Sequence, residues 1–330
     1  MTAFRCFIVQ PFRVQDYGHG RSLPRVADQR AFPGAVAPER THRVDADGVG
    51  IAVHEWGAPD DPVLMLVHGG ADFARTFDVI APQLAVAGFR VVAWDQRGHG
   101  DSDHAHLYSF DADLRDAASV FDCVAGREPV VVVGHSKGGA IMTALADAHP
   151  FRFRAFINLD GIPYRRPGPD VPEHQRAGAL GAELSSWLAH RRRTAGGQRR
   201  PGTIAELAER RGQMNPRLSR EWLEYLVTVG GRHDSDGWRW KLDPSMRLGG
   251  FGPWRPEWAL YRLAGLAVPF LGVLVGAEEP MGWGTRPEHV ERFMPRRSRL
   301  EYFEQFGHFI HIEQPELVSA LILEFLSGSL

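Results

Sequence analysis

Four valines, Val130–Val133, run straight into Gly134-His135-Ser136-Lys137-Gly138-Gly139, and the stretch continues as AIMTALADAHP. A β-branched run favours a strand, and the following segment has helical spacing until Pro150 stops it. No residues are left over for a loop, so the chain must turn within one or two positions. A Gly-x-Ser-x-Gly turn between a strand and a helix puts the serine in a strained conformation. Only glycine tolerates the close approach on either side. The Ser136 hydroxyl is then lifted above the carboxyl edge of the sheet at a helix N-terminus, where free amides and the helix dipole stabilise negative charge. The pentapeptide alone is common by chance; the strand before it and the helix after it make it specific.

The rest of the chain repeats the strand–helix alternation. PVLMLVHGG and RVVAWDQRGHGDS each carry a short apolar run that ends in a loop, of the kind buried on both faces of a sheet. FDVIAPQLAVAGF and DADLRDAASVFDCVAGR have helical spacing, and FRAFINLDG, VPFLGVLVG and RLEYFE supply further strands before the closing helix PELVSALILEFLSG. Alternation of this kind predicts an α/β fold with a mostly parallel sheet flanked by helices. It starts with an antiparallel hairpin around Asp47-Gly48. The alternation lapses over residues 162–264, where HQRAGALGAELSSWLAHRRR, TIAELAERR and SREWLEYLVTVG read as helices; Thr203 and Glu206 form a capping box. The expected organisation is a loose N-terminal extension (1–38), a core (39–161 and 265–330) and a helical cap or lid insertion (162–264).

Composition narrows the function. A formal net charge of -2 over 330 residues gives no electrostatic case for nucleic acid or a membrane surface. No apolar run approaches the roughly 20 residues a membrane span needs. The N-terminal MTAFRCFIVQPFRVQ is broken by Arg5 and lacks a small-residue cleavage site, so it is not read as a signal peptide. Two cysteines, Cys6 and Cys123, fit a reducing cytoplasm better than a disulfide scaffold. No Cys/His cluster has metal-ligand spacing, and no phosphate-binding glycine motif follows a strand, so neither metal nor cofactor is expected. The partner is a small-molecule substrate, and the oligomeric state stays open.

A serine hydroxyl attacks only when a base takes its proton. GHFIHIEQPE places His308 in a Gly-His turn between the last strand and the last helix, at the sheet edge that carries Ser136. His311 reads as structural, and His68, His99 and His135 as partners for local backbone. The imidazole needs a carboxylate to fix its tautomer, and two loops offer one. LVGAEEP presents Glu279, with Glu278 beside it, and NLDG presents Asp160. The order serine, acid, histidine holds for either, and both stay open. For the oxyanion hole, the Lys137 amide follows the nucleophile and the Gly70 amide comes from HGGAD, with Ala71 as its neighbour.

These motifs resemble the α/β-hydrolase fold superfamily, its serine esterase/lipase-like branch with a helical cap. LVHGG, WDQRGHGDS, VGHSKGG, GAEEP and GHFIHIEQPE are similar to its oxyanion loop, the loop after its fourth strand, its nucleophile elbow, its acid loop and its histidine loop. They stand in the family's order over Arg40 to Leu330. The resemblance implies an eight-stranded sheet with a cap inserted after the sixth strand. The family usually has Asp in the acid loop, where this chain has Glu279; some relatives carry the acid after the sixth strand, where Asp160 stands. Epoxide hydrolases and haloalkane dehalogenases of this fold use a nucleophilic Asp, and Ser136 argues against both.

The expected function is a cofactor-independent serine hydrolase acting on an ester, thioester or lactone of a medium-sized, largely apolar or aromatic compound. Aromatic residues crowd the insertion and the acid loop, and Trp254 and Trp283 are the candidate substrate contacts. The basic stretches HRRRTAGGQRRPG and ERRGQ read as solvated arginines. Two other readings use the same residues: carbon–carbon hydrolysis or cofactor-free oxygen chemistry on the same site, and ligand binding without catalysis.

Overall fold

The computed structural model describes residues 31–164, 175–246 and 256–329. Cys6, Trp254 and most of the expected N-terminal extension lie outside the described residues. Strands β1 (Arg40–Asp45) and β2 (Gly50–Trp56) form the opening hairpin. Asp47 and Gly48 both take positive φ, 51° and 83°, as the central residues of a type I′ turn must.

The parallel part follows as β3 (Val63–Val67), α1 (Ile80–Val86), β4 (Arg90–Trp94), α2 (Phe110–Ala125), β5 (Val130–His135), α3 (Lys137–Ala148) and β6 (Phe153–Leu159). After the insertion come β9 (Phe270–Val275), α8 (Pro287–Val290), β10 (Ser298–Phe303), α9 (Ile310–Glu313) and α10 (Pro315–Ser329). The eight strands stand in the order β1-β2-β4-β3-β5-β6-β9-β10. β2 is antiparallel to both of its neighbours, and the strands from β4 onward are parallel. The carboxyl ends of β3, β5, β6, β9 and β10 therefore lie along one edge, and the loops that leave them meet there.

The period of two along each strand splits the core into two layers. Met65, Val67, Val92, Trp94 and Val132 pack with Phe121 of α2 and with Ile141 and Leu145 of α3. Leu64, Leu66, Val91, Val131 and Val133 pack with Ile80 and Leu84 of α1 and with Val318 and Ile322 of α10. Each such side chain contributes about 1.5–3 kcal/mol on burial. That double-sided load is why these strands read as unbroken apolar runs.

Within the insertion stand α4 (Arg176–Thr194), α5 (Ile204–Gly212), α6 (Arg220–Gly230), a hairpin of β7 (Gly231–Asp234) and β8 (Gly237–Trp240), and α7 (Pro256–Gly265). The capping box at α5 forms as expected: the Thr203 hydroxyl accepts from the Glu206 amide at 3.2 Å, and the Glu206 carboxylate accepts from the Thr203 amide at 2.7 Å. Three features depart from the sequence reading. The β7–β8 hairpin was not foreseen. Helix α7 falls in the expected 162–264 insertion except for its last residue, Gly265, yet Leu260 and Leu263 pack in the same layer as α3. Part of the expected loose extension is packed: the Phe32 ring meets Trp222 edge-on at 4.8 Å, and Trp56 Nε1 donates to the Val36 carbonyl at 2.8 Å.

A third apolar cluster joins the insertion to the core loops. Leu207, Trp222, Leu226 and Trp238 pack against Phe73 and Val79, and against Phe309 beside His308. A polar tie runs alongside it. Tyr225 of α6 donates to Asp78, which also pairs with Arg75 at 2.6 Å. No helix among the described residues is long and apolar enough to cross a membrane.

Candidate active site

Ser136 follows β5 directly, at φ 53° and ψ −122°, and α3 starts at the next residue. A non-glycine residue at this φ costs about 1–3 kcal/mol and persists only when its surroundings impose it. Here the Ser136 amide donates to the Leu159 carbonyl at 3.0 Å, and its own carbonyl accepts from Ala140 at 3.1 Å. The flanking glycines are required by packing. A Cβ on Gly134 would stand 2.8 Å from the Gly139 Cα, and one on Gly138 would collide with the Val67 carbonyl oxygen. The hydroxyl is largely shielded, with Ser136 8% exposed.

Ser136 Oγ lies 2.9 Å from His308 Nε2, and His308 Nδ1 lies 2.6 Å from Asp160 Oδ2. His308 and Asp160 are each 1% exposed. An ionised carboxylate only accepts, so Nδ1 carries the proton and Nε2 is left to accept from the serine. Asp160 stands just past β6 at φ 44°, where its amide donates to Val273 at 2.8 Å. Asn158 braces the same turn by accepting from the Gly161 amide at 2.8 Å.

Glu279, the other candidate acid, does not reach the imidazole. Its Oε2 accepts from the backbone amide of His308, and Glu313 takes the preceding amide, Gly307, at 3.0 Å. The ring position is already filled by Asp160, and the loop after β9 brings Glu279 to the main chain instead. Burial pushes the Glu279 carboxyl above its ordinary range, against the pull of the His308 amide and with added repulsion from Glu313. Glu278 is exposed. Arg217, between α5 and α6, completes this grip on the histidine loop: it donates to the Gln305 carbonyl at 2.8 Å and to Glu313 at 3.0 Å.

Gly69 of HGGAD lies against Ser136: a Cβ there would stand 3.1 Å from the Ser136 Cβ. His68 Nε2 accepts from the Gln96 amide at 2.9 Å, so its Nδ1–H donates to the Gly69 carbonyl at 2.7 Å. That carbonyl and the Gly70 N–H belong to one planar trans peptide and point opposite ways. Fixing one fixes the other. The Ala71 amide is spent on His99 Nε2 at 3.3 Å, which leaves Gly70 as the better candidate donor. Lys137 opens α3, so its amide has no carbonyl of its own helix to bond. Its side chain turns away to Asp113 at 2.7 Å.

His135 Nε2 donates to the His308 carbonyl at 2.8 Å, and its ring stands 4.7 Å from that of His308 and 4.4 Å from that of His311. Burial holds His135 well below the usual histidine pKa and pushes His311 down to about 3, so both are neutral spacers around His308. Trp283 is half-buried in the loop after β9. His68 and His99 bond local backbone, as the sequence reading has them, whereas Arg211 and Arg217 support the site from positions to which that reading gave no such part. Among the described residues, one group has metal-ligand proximity: His54, Asp95 and Asp101. Its atoms serve one another and the protein. His54 bonds Asp95 at 3.2 Å, Asp95 accepts the Ala74 and Asp101 amides at 2.7 and 2.8 Å, and Asp101 pairs with Lys241 at 2.8 Å.

This geometry can be set beside known proteins. Residues 58–315 match the family described as Serine aminopeptidase, S33, of the α/β-hydrolases. The chain belongs to this family. Among curated relatives of this α/β-hydrolase, Epoxide hydrolase A of Mycobacterium tuberculosis is 28% identical over 86% of this chain and 96% of its own length. The Monoacylglycerol lipase of Mycolicibacterium smegmatis is 32% identical over 33% of this chain and 42% of its own. Among solved structures, the thioesterase domain from the curacin biosynthetic pathway superposes with a TM-score of 0.74 at 25% identity, covering 86% of this chain and 99% of that one. The α/β-hydrolase is thus an enzyme of hydrolase type.

Proposed function

We propose that this α/β-hydrolase is a cofactor-independent serine hydrolase of carboxylic esters, thioesters or lactones with a medium-sized, largely apolar or aromatic acyl group. The observation that carries the reading is the continuous hydrogen-bonded line Ser136–His308–Asp160 at 2.9 and 2.6 Å. In this mechanism His308 takes the hydroxyl proton as Ser136 Oγ attacks the acyl carbon. Asp160 holds the imidazole by its Nδ1–H and stabilises the imidazolium that forms. The Gly70 and Lys137 amides receive the developing oxyanion. His308 then returns the proton to the leaving group. In the second half it activates water, which releases the acid and restores Ser136.

The chemistry of the nucleophile separates this chain from its epoxide hydrolase relative. A carboxylate that opens an epoxide leaves an ester, which water can cleave. A serine that opens one leaves an alkyl ether, which a histidine-activated water does not cleave, so the enzyme would stop after one turnover. Acyl transfer has no such dead end. The thioesterase and lipase names among its relatives agree with it. Turnover of p-nitrophenyl esters from acetate to decanoate and of phenylacetate, by wild type, Ser136→Ala and His308→Ala, tests the reading. Activity that peaks at medium or aromatic acyl groups and vanishes in both variants is expected. Turnover retained in Ser136→Ala contradicts it.

A further inference from the structure

Arg211, in the basic stretch that the sequence presents as solvated, is largely buried and points into the core. From the C-terminal end of α5 its Nη1 donates to the Ala71 carbonyl at 2.7 Å, and its Nη2 meets Asp72 Oδ1 at 3.3 Å. Its Nε is held by Asn215 at 2.6 Å, and its guanidinium lies 5.8 Å from the Phe309 ring and 6.0 Å from the Trp240 ring. Asp72 is wholly buried, so the guanidinium also supplies its counter-charge.

Ala71 is a non-glycine residue at φ 56°, in the left-handed region that needs external support. The loop is held at three successive points. His68 holds the Gly69 carbonyl, His99 the Ala71 amide, and Arg211 the Ala71 carbonyl. The first two grips come from the core and the third from the insertion. Release of the third frees the peptide after Ala71 to rotate. Relaxation of the left-handed Ala71 then loads the two remaining bonds, and the aim of the Gly70 amide rests on the His68 bond without the support of the insertion. An oxyanion donor acts because it is already oriented when charge develops, and its effect falls steeply with misalignment.

We propose that Arg211 is a positioning residue for the oxyanion loop, which makes the insertion a working part of the catalytic site. The inference rests on the serine hydrolase reading above. It predicts that loss of Arg211 weakens transition-state stabilisation while ground-state binding is kept.

The test compares wild type, Arg211→Lys, Arg211→Ala and the exposed control Arg220→Ala, with Ser136→Ala as the reference for the reaction itself. The readouts are kcat, KM and the inhibition constant of an aryl trifluoromethyl ketone, which forms a tetrahedral adduct at an activated serine. In Arg211→Ala, kcat is expected to fall about 10- to 100-fold, a fraction of what deletion of an oxyanion donor costs. KM should stay within about twofold, and ketone affinity should fall in parallel with kcat/KM. Arg211→Lys keeps the charge beside Asp72 and a single donor, which protects folding. About a fivefold loss of kcat and of ketone affinity is expected there, with Arg220→Ala at wild-type values. Unchanged kcat and ketone affinity in folded Arg211→Lys or Arg211→Ala overturns the proposal, as does a loss confined to KM. Full ester turnover in Ser136→Ala overturns the hydrolase reading instead, so the two failures are distinct.

Discussion

Replacing Asp160 by Asn is the sharpest perturbation of the base. Asp160 Oδ2 lies 2.6 Å from His308 Nδ1, and both groups are buried. In the proposed reaction His308 becomes an imidazolium beside a carboxylate, with charge centres about 4 Å apart. At an effective dielectric near 20 that pairing is worth about 4 kcal/mol, or about a thousandfold in rate at 1.36 kcal/mol per decade. The Asn amide can also present its N–H to the ring and favour the wrong tautomer, which deepens the loss. Glu279→Gln is the matched control. Its partner is the His308 backbone amide, and glutamine keeps an acceptor there. The difference between a charged and a neutral hydrogen bond is about 1 kcal/mol, less than tenfold. The assay is kcat on p-nitrophenyl butyrate, normalised to folded enzyme by near-UV circular dichroism. Asp160→Asn is expected to lose about three decades and Glu279→Gln less than one. The reverse order would refute the assignment of the acid to the loop after β6.

Three further outcomes follow from the packing. Unfolded histidines protonate near pH 6.5, whereas His311 stays neutral down to about 3; below pH 6.5 the unfolded state therefore binds more protons and stability falls with falling pH, by about 1.4 kcal/mol per unit for this group. His311→Phe should remove about 2 kcal/mol of the decline between pH 6.5 and 5 in urea melts, and an unchanged slope would show that His311 does not titrate as stated. Gly138→Ala drives a Cβ into the Val67 carbonyl, so a destabilisation of about 1–3 kcal/mol with loss of ester turnover is expected; a variant of wild-type melting temperature and activity would count against the tight elbow. Tyr225→Phe removes the hydroxyl that α6 gives to buried Asp78. It should cost about 1–3 kcal/mol in chemical denaturation, and no change would show that this tie contributes nothing.

Legibility from sequence followed the range of the interactions involved. The parallel core was readable because strands buried on both faces must be continuous apolar runs, and Val130–Val133 and Val63–Val67 are such runs. The elbow was readable because Gly134 and Gly138 answer local collisions. The choice between Asp160 and Glu279 was not readable, since both loops leave the same sheet edge in the required chain order. Only the three-dimensional path of each loop decides which carboxylate meets the ring and which meets the main chain. Arg211 looked like any solvated arginine because its partner, the Ala71 carbonyl, lies 140 residues away and has no sequence signature. The β7–β8 hairpin had a short-range signal in Asp234-Ser235-Asp236-Gly237 between Arg232-His233 and Trp238-Arg239, but its strands are too short for alternation to stand out. Phe32 was misread for the reason that hides Arg211: its partner, Trp222, is distant in the chain.

The central claim is that Ser136 is a nucleophile activated by His308. Intact mass spectrometry after incubation with a fluorophosphonate tests it most directly, on wild type, Ser136→Ala and His308→Ala. One stoichiometric adduct on wild type, absent from Ser136→Ala and formed far more slowly on His308→Ala, is the predicted result. A folded wild-type protein that stays unmodified, or an adduct that survives Ser136→Ala, would contradict the account.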